Sequence, residues 1–114
     1  MAAVTLYHNP KCSTSRNALA LLREQGIEPV VVEYLKTGWE RETLDRLAVR
    51  TGLGLSGLLR RKEADAAALL DAHADDAAVM AAVLAKPVLI ERPIVESDKG
   101  AVIGRPVDRI LELI

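Results

Sequence analysis

The sequence predicts an α/β fold, a mixed four-stranded sheet with a helical insertion. Three observations support this prediction. The chain opens with a strand–helix–strand pattern, its middle is rich in alanine and in helical patterns, and its last part reads as two extended runs and a helix. Its 114 residues are the size of one domain. We therefore expect a single domain, 1–114, with the helical insertion at about 40–86.

The opening pattern is that of a βαβ unit. Residues 4–7 form a short β-rich run that ends at Asn9-Pro10. From Ser13 the apolar residues recur at helical spacing, and Gly26 gives the stop signal. Residues 29–35 are β-branched and few enough for a buried parallel strand. These three elements in this order predict a βαβ unit.

The middle of the chain is predicted to be a block of short helices. Four helices are expected, at 40–50, 56–62, 65–72 and 75–85. In the first of them Leu44 and Leu47 are predicted to face inward, and Pro87 ends the block. The abundance of alanine suits close packing between these helices.

The last part of the chain is predicted to be a hairpin followed by a helix. Residues 93–97 and 101–103 are extended runs, and Asp98-Lys99-Gly100 is the turn that joins them. Pro106 opens the final helix. Its predicted apolar face consists of Ile110, Leu111 and Ile114. The full order, β-α-β, helical block, β-β-α, describes a thioredoxin-like sheet.

Composition argues against two classes of partner. Fifteen basic and sixteen acidic side chains give a net charge of −1, which leaves no basic field for nucleic acid. The longest uncharged apolar run, 77–85, is far shorter than a membrane span. We therefore expect neither a nucleic-acid partner nor a membrane. The lone Cys12 and the lack of an export signal in the opening residues predict the cytoplasm.

Cys12 is the main candidate for chemistry. It lies in a polar loop between the first predicted strand and the first predicted helix, which favours a reactive thiol over an inert core cysteine. The free N–H groups and the dipole of a helix N-terminus stabilise a thiolate, and Lys11 and Arg16 add positive charge. Because the chain has one cysteine, any disulfide must form with another molecule.

Hydroxyl and imidazole groups surround this cysteine in the sequence. Ser13, Thr14 and Ser15 offer donors to a bound oxyanion, and they are also expected to cap the helix. His8 is interpreted either as a group that lowers the pKa of the thiol or shuttles a proton, or as a surface histidine at a strand end. His73 has no apparent partner and is expected to be solvated.

Three arginines, Arg60, Arg92 and Arg105, lie at the ends of predicted elements. The planar guanidinium suits oxyanions, although each arginine taken singly is better explained as a surface ion pair or a helix-end cation. The pattern G-x-G-x-x-G at 52–57 follows a helix instead of a strand, which argues against a dinucleotide site. One cysteine and two distant histidines cannot supply a zinc site, so no metal is expected.

Four segments stand out when they are taken together. They are HNPKCSTSRN (8–17), LLR (58–60), ERPIV (91–95) and GRP (104–106). In this order they resemble the glutaredoxin-dependent ArsC-type arsenate reductases, and the resemblance extends over essentially the whole chain. It implies a thioredoxin-like fold with a helical insertion, as the element order also predicts.

The resemblance implies roles for individual residues. Cys12 corresponds to the catalytic cysteine, and His8 and Ser15 to residues that help to keep it as thiolate. Pro93 corresponds to the cis-proline that thioredoxin-like folds keep beside the active thiol, so a cis Arg92–Pro93 bond is expected. The arginines that grip the oxyanion and the arsenic intermediate correspond to Arg60, Arg92 and Arg105.

The resemblance also implies arsenate as substrate, no bound cofactor, glutathione as co-substrate and a glutaredoxin as partner. The single cysteine is consistent with this, because an external thiol must then resolve the intermediate. Two alternatives remain open. One is a glutaredoxin-like thiol transferase whose arginines bind glutathione carboxylates. The other is a non-catalytic Spx-like binding module, although Cys12-Ser13-Thr14-Ser15 lacks the C-x-x-C of that class.

Overall fold

A computed structural model describes residues 3–114 of the chain. These residues divide into two compact units. The first unit consists of the chain up to Thr37 together with Arg92–Ile114, and the second consists of Gly38–Glu91. The helical insertion predicted at about 40–86 therefore lies within the second unit.

The first unit is built on a four-stranded sheet. Its strands are β1 (Thr5–Tyr7), β2 (Val30–Val32), β3 (Ile94–Ser97) and β4 (Gly100–Ile103). Their spatial order is β2-β1-β3-β4. Strand β1 is parallel to β2 and antiparallel to β3, and β3 and β4 form an antiparallel hairpin. The predicted mixed sheet and the predicted hairpin are confirmed.

Helices complete the first unit and bury its core. They are α1 (Ser13–Glu24), α2 (Tyr34–Thr37) and a 3₁₀ helix (Val107–Leu113). One face of α1 packs on the sheet because its small and aliphatic residues recur every four positions, as Ala18 and Leu22 do. The buried core cluster consists of Val4, Leu6, Ala18, Leu22, Val95, Ile110 and Leu113. It packs the middle and the last turns of α1 against β1.

The second strand differs from the prediction. Residues 29–35 were expected to be one buried strand, but β2 ends at Val32 and Tyr34 begins α2. Val30 and Val31 are 54% and 38% exposed. The physical reason is the strand order, because β2 is an edge strand with a single neighbour. The prediction of a buried strand was therefore wrong, whereas the predicted parallel pairing with β1 is confirmed.

The final helix is a 3₁₀ helix, and this changes its buried face. Ile110 is buried as predicted, but Leu111 and Ile114 are exposed and Leu113 is buried in their place. A 3₁₀ helix has three residues per turn, so residues three apart lie on one side. The predicted face assumed α-helical spacing and was wrong at two of its three positions.

The second unit is helical. It contains α3 (Arg41–Arg50), α4 (Ala64–Asp71), α5 (Asp76–Ala85) and short 3₁₀ turns at Ser56–Leu58 and Pro87–Leu89. Leu44 and Leu47 are fully buried, as predicted. Helix α5 begins after Asp75, whose carboxylate accepts the Ala78 N–H at 2.9 Å as an N-cap.

The helix predicted at 56–62 is reduced to one 3₁₀ turn. The chain becomes extended at Leu59, with φ −70° and ψ 139°, and Leu59 forms a β-bridge with Ile90. This bridge holds the backbone that carries Arg60. Across the described residues, none of the helices combines the length and the apolarity that crossing a membrane requires.

Gly104 provides a test of the packing around Pro93. A Cβ atom at Gly104 would lie 3.0 Å from Cγ of Pro93 and 3.1 Å from Cγ2 of Ile110. The Pro93 side chain is a rigid ring, and the Pro93 carbonyl accepts the Gly104 N–H at 2.8 Å. Pro93 therefore has little freedom to move. We expect Gly104→Ala to lower the free energy of unfolding by about 1–3 kcal/mol. Urea denaturation measures this, and an unchanged midpoint would contradict the packing described.

Candidate active site

Cys12 is the N-cap residue of α1, with φ −95° and ψ 123°. Its partly buried side chain therefore lies where the first N–H groups of the helix are open to an acceptor. Ser13, Thr14 and Ser15 are the first three helical residues. The expectation that these hydroxyls cap α1 was wrong, because the cap position belongs to the cysteine itself.

The loop before Cys12 is organised by Asn9, which is 5% exposed. The Asn9 carbonyl accepts the Cys12 N–H at 3.0 Å, and Asn9 Oδ1 accepts the Lys11 N–H at 3.0 Å. Arg16 Nη1 also donates to the Pro10 carbonyl at 2.9 Å. Sequence analysis did not single out Asn9. Its signal was present, however, since an asparagine that precedes a proline at a strand end commonly forms such a turn.

His8 and Ser15 form a buried pair behind this loop. His8 is 6% exposed and Ser15 is fully buried, which excludes a surface role for His8. His8 Nδ1 lies 2.6 Å from Ser15 Oγ, and Ser15 Oγ accepts the Asn9 N–H at 3.0 Å. Burial lowers the pKa of His8, and the Glu33 carboxylate only partly opposes this. The imidazole is therefore neutral at pH 7 and holds Ser15 through a hydrogen bond.

Two of the predicted arginines lie beside the thiol. Arg105 Nη2 donates to Cys12 Sγ at 3.5 Å, and Arg105 Nε donates to the Arg92 carbonyl at 2.6 Å. The Arg92–Pro93 bond is cis, as the resemblance led us to expect, and so is the Arg105–Pro106 bond. The contacts of Arg92 and Arg105 place both residues at the N-terminal end of α1.

The pKa of the Cys12 thiol is lowered from its ordinary value. Burial alone would raise it, but the Ser15 N–H, the Arg92 guanidinium and the Thr14 N–H all favour the thiolate and outweigh that effect. The open helix N-terminus predicted this direction. A larger fraction of Cys12 is consequently thiolate at neutral pH than in an unperturbed cysteine, and the thiolate is the form that acts as a nucleophile.

Arg60 belongs to the second unit, where it is 9% exposed. Its Nη1 forms an ion pair with Glu91, and its backbone N–H donates to the Leu89 carbonyl at 2.7 Å. The Glu91 N–H in turn donates to the Leu58 carbonyl at 2.7 Å. Arg60 is thus a fixed cation in an ion pair, and this pair is largely buried instead of lying on the surface.

The remaining predicted residues are placed as follows. Ser13 is exposed and Thr14 is half-buried at the start of α1. His73 is exposed in the second unit, in agreement with its expected solvation. It follows α4 and has a positive φ of 50°. In residues 3–114 the structure assembles no group of three or more His, Cys, Asp or Glu side chains suited to a metal ion.

Comparison with known proteins identifies the family of this chain. The model of the ArsC family matches residues 7–113. The chain belongs to the ArsC family. The match runs through Cys12 and all three arginines, so the resemblance seen in the sequence is confirmed at the level of the family.

Named members of the family are similar over nearly the whole chain. The arsenate reductase of Rhizobium meliloti (strain 1021) is 41% identical over 113 residues, which are 97% of this chain and 81% of that protein. YfgD of Escherichia coli (strain K12), described as uncharacterized, is 40% identical over 97% of this chain and 96% of its own. The solved arsenate reductase from Vibrio cholerae has a TM-score of 0.91 at 44% identity and covers 99% of this chain and 98% of its own. This ArsC-family neighbour confirms the predicted fold.

The buried His8 makes stability depend on pH. Its pKa is lowered in the folded protein from the ordinary value of 6.5, so the unfolded chain binds the proton more tightly. The contribution of His8 to stability is therefore fully present above pH 6.5 and is lost as the pH falls from there through the folded pKa. We expect His8→Asn to flatten this dependence in thermal melts between pH 4 and 8. The exposed His73 supplies the control, and an equal flattening in His73→Asn would contradict the assignment to His8.

Proposed function

We propose that this chain reduces arsenate to arsenite and that Cys12 is the nucleophile. One observation carries the proposal: a thiol of lowered pKa at the N-terminus of α1 with the Arg105 guanidinium 3.5 Å away. This combines an activated nucleophile with donors for the charge on an oxyanion. Membership of the ArsC family and the similarity to arsenate reductases support the choice of substrate.

The first step is an attack of the Cys12 thiolate on As(V). A bond forms between Sγ and arsenic, and one arsenic-bound oxygen takes up a proton and leaves as water. Arsenic stays As(V) in this step. Arg92 and Arg105 stabilise the negative charge on the remaining oxygens.

The electrons come from thiols outside the chain. Glutathione displaces a second oxygen as water and forms a second sulfur–arsenic bond. A glutaredoxin thiolate then attacks the glutathione sulfur, a disulfide forms, and the electron pair of the broken bond reduces As(V) to As(III). Hydrolysis releases arsenite and Cys12. The single cysteine of the chain supports this route, since no resolving thiol is available within it.

Arg60 is included as the third arginine for the oxyanion. This role is the one that its resemblance to the family's third arginine implies. We expect Arg60→Ala to raise the KM for arsenate by about 10-fold or more, because a charge-assisted hydrogen bond contributes about 1.5–3 kcal/mol. Steady-state kinetics measure this. A glutaredoxin-like thiol transferase would instead lose little activity in Arg60→Ala.

We infer that the protein works in the cytoplasm and without a bound cofactor. A thiol that must stay reduced between turnovers suits the cytoplasm. The protein itself holds no bound cofactor in this proposal, and glutathione acts as a co-substrate.

The test is the oxidation of NADPH by the purified protein with arsenate, glutathione, a glutaredoxin and glutathione reductase. We expect oxidation that depends on arsenate and that ceases when glutathione or the glutaredoxin is omitted. Oxidation that persists without arsenate, on a glutathionylated protein substrate, would favour the thiol transferase.

A further inference from the structure

A small cavity lies beside the Cys12 loop in the first unit. It has a volume of about 150 Å³ and lies between the loop before α1 and the segment that joins β2 to α2. Its lining residues are Asn9, Pro10, Lys11, Glu33, Leu35 and Lys36. The chemistry proposed above uses none of them as a ligand group, although the cavity begins one residue from the nucleophile.

Both walls of this cavity are fixed by hydrogen bonds. On one side Asn9 Oδ1 accepts the Lys11 N–H, which keeps the loop turned. On the other side the Glu33 carbonyl accepts the Lys36 N–H at 2.9 Å and the Thr37 N–H at 3.1 Å. The cavity is therefore preformed, and binding there would spend little free energy on ordering the chain.

The charged residues that line the cavity favour an anionic ligand. Lys11 and Lys36 contribute two cations, whereas Glu33 is the one carboxylate among the lining residues. Glu33 lies 3.5 Å from Lys36 Nζ, but the Lys36 side chain remains 77% exposed and accessible to a ligand. Pro10 and the 40% exposed Leu35 add an apolar wall. A carboxylate attached to a short, partly apolar chain matches this lining.

We propose that this cavity binds the glycyl carboxylate of glutathione while its thiol reacts at the arsenic on Cys12. The γ-glutamyl end of glutathione carries an ammonium beside its carboxylate, so the glycyl end is the one with uncompensated negative charge. The cavity adjoins the nucleophile along the chain, since its lining residue Lys11 directly precedes Cys12. This inference rests on the proposed use of glutathione and identifies where it is recognised.

Binding can be tested without the reaction. ¹⁵N-labelled protein is titrated with S-methylglutathione, which lacks a free thiol, and with S-methyl-γ-glutamylcysteine, which lacks the glycine. We expect S-methylglutathione to shift the amide signals of Lys11, Glu33 and Lys36, and the glycine-free analogue to bind more weakly. Equal binding of the two analogues, or shifts elsewhere only, would overturn the proposal.

Two charge variants extend the test, because they should change the affinity for S-methylglutathione in opposite directions. Lys36→Gln should weaken S-methylglutathione binding by about 2- to 5-fold, the range of an exposed ion pair, and Glu33→Gln should strengthen it. Lys62→Gln, an equal charge change at an exposed lysine of the second unit, is the control. In turnover, Lys36→Gln should raise the KM for glutathione and leave kcat unchanged.

The outcomes separate this inference from the proposed function. If the wild-type protein reduces arsenate and the analogue titration leaves the cavity signals unmoved, the inference fails and the function stands. If S-methylglutathione binds at the cavity without arsenate turnover, the glutathione site stands and the substrate is wrong. If Lys36→Gln changes the KM for glutaredoxin and leaves the analogue affinity unchanged, the cavity contacts the protein partner and the inference is overturned.

Discussion

Cys12→Ser is expected to abolish arsenate-dependent turnover, with a loss of at least about 10⁴-fold that reaches the background of the assay. A hydroxyl at this position is not ionised at neutral pH, so neither the Ser15 N–H nor Arg92 would have a thiolate to stabilise. The comparison is the rate of NADPH oxidation in the coupled assay by wild type and variant at equal concentration.

The same substitution carries its own control for folding. Serine is a preferred N-cap residue, so replacing Cys12 at the N-cap of α1 should leave the melting temperature unchanged or slightly raised. Loss of activity with an unchanged melting temperature assigns the effect to the nucleophile. Residual turnover above about 1% of wild type would contradict the role given to Cys12.

Arg92→Ala is expected to lower kcat/KM for arsenate by about 10²–10³-fold, the usual effect of removing one donor from an oxyanion site. The same change should raise the pKa of Cys12, because the Arg92 guanidinium is one of the groups that favour the thiolate. The pH dependence of alkylation by iodoacetamide measures this second effect independently of arsenate. Its midpoint should move to higher pH in the variant.

Two further variants define what Arg92 contributes. Arg92→Lys keeps the charge and should restore part of the thiol pKa shift, but it lacks the planar fork that binds an oxyanion at two points. Arg109→Ala removes an exposed arginine whose ion pair with Glu112 spans 3.9 Å, and it should change neither quantity. An alkylation midpoint that stays unmoved in Arg92→Ala would contradict the electrostatics described for the thiol.

Much of the fold could be predicted from local patterns. Alternating and β-branched runs located the strands, and helical spacing located α1 and α3. Prediction was wrong where the answer depended on neighbours in space. The residues of β2 are exposed because the strand lies at the sheet edge, and the buried face of the last helix follows from a 3₁₀ geometry that its sequence does not distinguish from an α-helix.

Local sequence patterns predicted part of the active site, and the rest depends on residues that are distant in the sequence. The polar loop and the helix start pointed to Cys12, whereas the approach of Arg92 and Arg105 to it required long-range folding, since the cysteine and Arg105 are 93 positions apart. The resemblance to the ArsC-type reductases pointed to both arginines from the sequence alone. Asn9 was not singled out because its importance lies in three hydrogen bonds, two made by its backbone and one by its side chain, which the composition of the loop does not reveal.

The most direct test of arsenate reduction through Cys12 is the amount of arsenite formed, measured by chromatographic separation of the arsenic species, for each NADPH consumed. Reduction of As(V) to As(III) takes two electrons and NADPH supplies two, so we expect one arsenite per NADPH with the wild-type protein and none with Cys12→Ser. NADPH oxidation without arsenite, or arsenite formed equally fast by Cys12→Ser, would contradict it.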